Sequence, residues 1–60
     1  MTNYVIENKF GPQQIVNDRI EAEKIQREGY KTSYRELGPF EIKKVKDRIR
    51  YNQAMLENII

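Results

Sequence analysis

Five basic side chains, Lys43, Lys44, Lys46, Arg48 and Arg50, fall within eight residues, and the only acid among them is Asp47. Such a cluster attracts anions, whether a phosphodiester backbone or an acidic protein surface. A nucleic-acid reading requires the cations to share one exposed face. Helical spacing separates them instead. Lys43, Lys46 and Arg50 flank one side of an apolar stripe, while Lys44 and Arg48 lie across the helix. Long basic side chains beside a buried stripe commonly cover it with their alkyl stems. That reading is preferred here, and nucleic acid is kept as the less favoured ligand.

Other chemistry is sparsely provided for. The chain has no His and no Cys. The usual nucleophile–base pairs of acyl transfer are therefore missing, as are the thiolate and imidazole ligands of structural zinc. Asp18, Glu21 and Glu28 sit on the polar side of an amphipathic segment, where carboxylates are ordinarily solvated charges. The three glycines stand singly, so no phosphate-cradling loop is present. The expectation is a protein that is not an enzyme and that uses neither a cofactor nor a metal.

The element that must position the cations is the longest periodic stretch, residues 39–59. Ile42, Val45, Ile49, Leu56 and Ile59 recur at steps of three and four, with Asn52 filling the missing step. This is the a/d pattern of a helix-packing seam. An Asn in such a seam either selects register and partner or marks its end facing water. Tyr51 and Met55 join Lys44 and Arg48 on a different face, a grouping that suits a protein-binding surface. The alternative is that this face packs under another helix.

Gly38-Pro39 opens that helix, and Gly11-Pro12 offers the same chemistry earlier. Pro at the first helical position has a preset φ and lacks an N–H the helix could not use. Gln14 or Glu41 stands where its side chain can reach back to the cap, and Phe10 with Ile15, or Leu37 with Ile42, can staple across it. These signals predict a first helix over residues 12–28, ended by Gly29, with Tyr30 folding back on Ile25. Its apolar residues Ile15, Val16, Ile20, Ala22 and Ile25 fall into two groups around the helix.

Residues 3–10 alternate loosely, with Tyr4, Ile6 and Phe10 opposite Asn3, Val5, Glu7 and Lys9. They read as a short strand or as an extended arm spanning residues 1–11. A strand here must pair with residues 30–35, a symmetry mate or a partner. Residues 29–38 join the helices. Tyr30, Thr32 and Tyr34 alternate with Lys31, Ser33 and Arg35, which permits a strand, whereas Ser33-x-x-Glu36 has the form of a capping box. A structured turn is the reading adopted.

The order strand, helix, Gly-containing turn, helix is similar to ribbon-helix-helix repressors. The turn residues Glu28-Gly29-Tyr30, with Thr32 and Ser33 after them, look like that family's interhelical turn. The resemblance implies a dimeric DNA-binding regulator whose strand enters the major groove. Two features depart from the pattern: Gly38-Pro39 interrupts the second helix, and Glu7 would face phosphate. DNA binding is therefore the alternative function.

A chain of 60 residues is one small domain, marginal as a monomer. With disulfides and zinc excluded, oligomerisation is the remaining remedy. The second helix, near 30 Å, would overhang a first helix of roughly 25 Å. The expected architecture is thus a mainly α two-helix hairpin with an N-terminal arm or short strand. It would be paired as a homodimer through Ile42, Val45, Ile49, Asn52, Leu56 and Ile59. The expected function is non-catalytic binding of another protein by a small regulator or inhibitor. Tyr30, Tyr34, Arg35, Lys44, Arg48 and Tyr51 would face the target. Usage of Ile, Lys, Asn and Tyr, whose codons are AT-rich, suits a low-GC bacterium or one of its phages, and phage proteins that disable a host or defence enzyme are of this size. No apolar run reaches the roughly 18 residues of a membrane span. Residues 1–10 lack the character of a secretory signal, and the absence of Cys adds to an expected cytoplasmic location.

Overall fold

Val5 and Ile6 are neighbours in sequence, and both are buried, at 0% and 2% exposure. Successive strand residues point to opposite faces, so this strand is covered on both sides. The computed structural model, which describes residues 2–57, shows how. Strand β1 (Asn3–Asn8) lies at the centre of an antiparallel sheet between β2 (Gly11–Val16) and β3 (Ser33–Leu37). Helix α1 (Arg19–Glu28) connects β2 to β3, and α2 (Ile42–Glu57) follows β3. The fold is α+β. The expected mainly α two-helix hairpin is incorrect.

The error lies in residues 11–16. Asn8 and Gly11 close a tight hairpin around Lys9 and Phe10. The Phe10 N–H donates to Asn8 Oδ1 at 2.8 Å, and Gly11 takes φ +98°. An Asn-led turn closed by a left-handed glycine is a recurring hairpin connection, and only glycine adopts that φ without strain. Pro12 then continues as an edge strand rather than opening a helix. Its fixed φ and missing N–H are tolerated at sheet edges and bulges, and β2 supplies both. The register steps from Ile6↔Gln14 to Glu7↔Pro12, leaving Gln13 as an extra residue. The β-branched pair Ile15-Val16 completes the strand. The first helix starts instead at Asp18, whose side chain accepts from the Ile20 N–H at 3.0 Å. It is an ordinary N-cap.

The segment expected to be a turn contains β3, paired with β1 from Asn3↔Leu37 to Glu7↔Ser33. Residues 30–35 are one of the three alternative partners the sequence offers β1; the pairing falls on Ser33–Leu37, and β2, not among those alternatives, is the other neighbour. The helix before β3 ends at Glu28, and the Gly29 N–H donates to Ile25 O at 2.9 Å. Gly29 is extended, however, and Lys31 holds the left-handed position at φ 52°. Glycine is required at 29 by close approach, since a Cβ there would lie 2.3 Å from Thr32 Oγ1. Tyr30 does not fold back, and it is 82% exposed.

Each helix covers one face of the sheet. On one face Val5, Leu37 and Val45 form the core, with Ile15, Ile42 and Ile49 packed against it. On the other, Ile6 and Ala22 are buried, and Tyr4 meets Tyr34 edge-on at 6.0 Å between ring centroids. The Tyr34 hydroxyl donates to Glu23 Oε1 at 3.1 Å, tying α1 to β3. Each fully buried aliphatic side chain contributes about 1.5–3 kcal/mol, so this small core depends on every member.

At the start of α2 the expected reach-back is made: the Gly38 N–H donates to Glu41 Oε1 at 3.2 Å. Glu41 N–H returns to Gly38 O at 3.1 Å, forming a tight turn before Ile42. Leu37 and Ile42 meet in the same core cluster.

Candidate functional site

The seam on α2 meets the chain's own sheet. Ile42, Val45 and Ile49 pack over Val5, Ile15 and Leu37. Asn52, one turn on, donates from Nδ2 to Phe10 O at 3.3 Å and so ties the helix to the hairpin turn. Leu56 lies beyond this contact at 50% exposure, and Ile59 is outside the described residues. The surplus length inferred for the second helix depended on a helical hairpin, which the chain does not form. A sheet-covered seam also explains the place of Asn52: it ends the apolar row, partnered by a carbonyl.

With this row turned inward, the cations of α2 stand on its two flanks, as the spacing predicts. Lys44 and Arg48 line a cleft with Arg35 of β3, Glu41 and Val45. Lys46 and Arg50 line a groove on the other flank with Gln13, Gln14, Ile15, Ile49 and Gln53. The two flanks differ in charge. In the β3 cleft, Arg35 Nε reaches Glu7 Oε1 at 3.1 Å and its Nη1 reaches Glu41 Oε2 at 3.0 Å. These bonds hold the guanidinium in place and offset its charge. Glu41 is held below the ordinary 4.5, first by the hydrogen bond from the Gly38 N–H and then by Arg35. The β2 groove has no carboxylate in its lining.

The structure brings Arg35, Lys44 and Arg48 together, and Tyr51 and Met55 continue the stripe from Lys44 and Arg48 along the helix. Tyr51 is 64% exposed and Met55 50%. Packing under the other helix was the competing expectation for this stripe, but α1 lies on the opposite face of the sheet. Tyr30 and Tyr34 do not join the group. Tyr30 stands in the turn after α1, and Tyr34 faces α1, where desolvation and then its bond to Glu23 raise the phenol above its ordinary 10.0.

Two features escape a helical reading of residues 12–28. One is exposed Phe10 at the hairpin tip beside Asn52, and the other is Gln13, the extra residue of β2 in the groove lining. The Asn8–Gly11 spacing was the available signal for both. Among the described residues, no three His, Cys, Asp or Glu side chains converge to hold a metal ion. None of their helices is long and apolar enough to cross a membrane. Comparison with known protein families, curated proteins and solved structures returns no match to this chain.

The ribbon-helix-helix arrangement is not adopted. In the expected DNA-reading strand, Val5 is in the core and Glu7 is bonded to Arg35. A central strand covered on both faces has no side-chain row to place in a groove.

Proposed function

We infer that this chain is a non-catalytic protein-binding regulator or inhibitor, and that the Lys44–Arg48–Tyr51–Met55 stripe of α2 meets its target. One observation carries the reading: the stripe is exposed although the helix bearing it is anchored from Ile42 to Asn52. Arg48, Tyr51 and Met55 on one anchored face match the composition of interface centres, where Tyr, Met and Arg are enriched. Arg35, already held by two carboxylates, adds a preorganised donor at the stripe's edge. A photo-cross-linking residue in place of Tyr51 should capture a second polypeptide in the source cells, while the same residue in place of Glu21 on α1 should not. Equal capture from both positions, or none from Tyr51, would reject this face.

A second reading, that the target is another copy of the chain, is favoured by the apolar end of α2 that runs on past the Asn52 contact. Among the described residues, half-exposed Leu56 is the seam residue left to join such a pair. Sedimentation equilibrium of the purified protein decides it, with a dimer mass expected to revert to monomer in Leu56→Glu.

A further inference from the structure

The groove between α2 and β2 lies on the flank opposite the proposed protein-binding stripe and differs from it chemically. It measures about 420 Å³ and is lined by Lys46, Arg50, Ile15, Ile49 and three glutamines, Gln13, Gln14 and Gln53. Among the described residues, neither Lys46 nor Arg50 is ion-paired, and neither is Lys43. Lys43 stands outside the groove lining, with Asp47 between it and Arg50 on the helix surface, so the groove's own cations are Lys46 and Arg50, about one turn apart. The extra residue in β2, Gln13, sits across from them at the register step, and its Nε2 donates to Gly11 O at 3.2 Å. That step and Pro12 disrupt β2 as a template for an added strand, so peptide pairing along this edge is disfavoured.

We propose that this groove binds the phosphodiester backbone of a nucleic acid. Two unpaired cations one turn apart match successive charges of a linear polyanion, which recur along one direction. The amides of Gln13 and Gln53 carry both donors and acceptors and can meet base edges or sugars without selecting one base. The groove has no aromatic side chain in its lining, so stacking is not its means of recognition. Backbone contact sets affinity here, and sequence preference is absent.

The test uses the intact chain with a labelled oligothymidylate and a mixed-sequence duplex, titrated over a range of salt. Affinity should fall steeply with salt. For the two phosphates neutralised by Lys46 and Arg50, log K against log salt should have a slope of about −1.4 on the single strand. Lys46→Gln/Arg50→Gln should reduce low-salt affinity by at least about tenfold and flatten that slope by about 1.4. Lys44→Gln/Arg48→Gln, on the other flank, should keep both. Circular dichroism confirms that the variants remain folded. Three results would overturn the proposal: no binding of either nucleic acid at low salt, equal losses in the two double variants, or displacement by polyglutamate as effective as by unlabelled oligonucleotide. None of these arms requires a protein partner, so the outcome is independent of the protein-binding reading.

Discussion

Asn52 Nδ2 lies 3.3 Å from the carbonyl oxygen of Phe10, a hydrogen bond joining α2 to a hairpin turn 42 residues earlier in the chain. The same nitrogen would lie 3.2 Å from a Cβ built on Gly11. Loss of a hydrogen bond of this kind costs about 1 kcal/mol. Asn52→Ala should therefore lower the urea midpoint by a corresponding amount, with its slope unchanged. Gly11→Ala should cost about 1–2 kcal/mol from left-handed strain alone, and more if Asn52 is displaced. Unchanged midpoints in both variants would mean that the contact contributes nothing.

Burial on both faces of β1 makes an unusual demand on adjacent residues. Val5→Ala and Ile6→Ala should each destabilise, Ile6→Ala by about 2–5 kcal/mol. In a protein this small, that is enough to unfold a large fraction of molecules. An extended arm, or a strand covered on one side only, would leave one of the two substitutions nearly silent. Thermal melts followed by circular dichroism separate these cases.

Glu41 gives stability a defined response to acid. Its pKa is lowered from the ordinary 4.5 by the Gly38 N–H and Arg35, so the unfolded carboxylate binds protons at a pH where the native one does not. Its contribution is present above the unfolded value and is lost as pH falls through the folded one. Melting temperature should drop as pH is lowered from neutral through the carboxylate range, and Glu41→Gln should make that drop shallower. A pH profile unchanged by the substitution would show that the Gly38 and Arg35 contacts do not hold the charge.

Self-association must be tested away from the core. Ile49 packs on the chain's own sheet, so Ile49→Asp should unfold the protein whether or not it pairs. Leu56→Glu alters a half-exposed site beyond the Asn52 contact and should leave helicity intact. If copies pair through this end, the mass measured by sedimentation should fall from dimer to monomer. A mass unchanged by Leu56→Glu removes this end of α2 as the joint.

The sequence was most legible where several local signals agreed with tertiary need. The periodic row through Ile42, Val45 and Ile49, the reach-back of Glu41 and the strand character of residues 3–8 all follow from spacing and capping chemistry. Gly11-Pro12 misled because its two residues serve two structures equally well. Pro suits a first helical turn or an edge strand, and Gly suits a cap or a left-handed hairpin position. In the structure Ile15 and Val16 belong to a strand and Ala22 and Ile25 to a helix, a division that the angular grouping of these residues around a single helix does not show. Ser33–Leu37 was harder to read for another reason: a five-residue strand depends on its partner, and in register Arg35 lies opposite Val5, 30 residues earlier in the chain. Within the site, the division of cations between flanks followed from helical angles. What each flank faces depended on the sheet.

The central claim is that α2, held to its own sheet, offers Arg48 and Tyr51 to a protein partner. Comparative affinity capture from the source cells, with the chain immobilised, tests it most directly. The unaltered chain and Lys46→Gln/Arg50→Gln should retain the same partner, and Arg48→Ala/Tyr51→Ala should lose it while keeping native circular dichroism. Equal recovery from all three proteins, or no specific partner on any, would contradict the account.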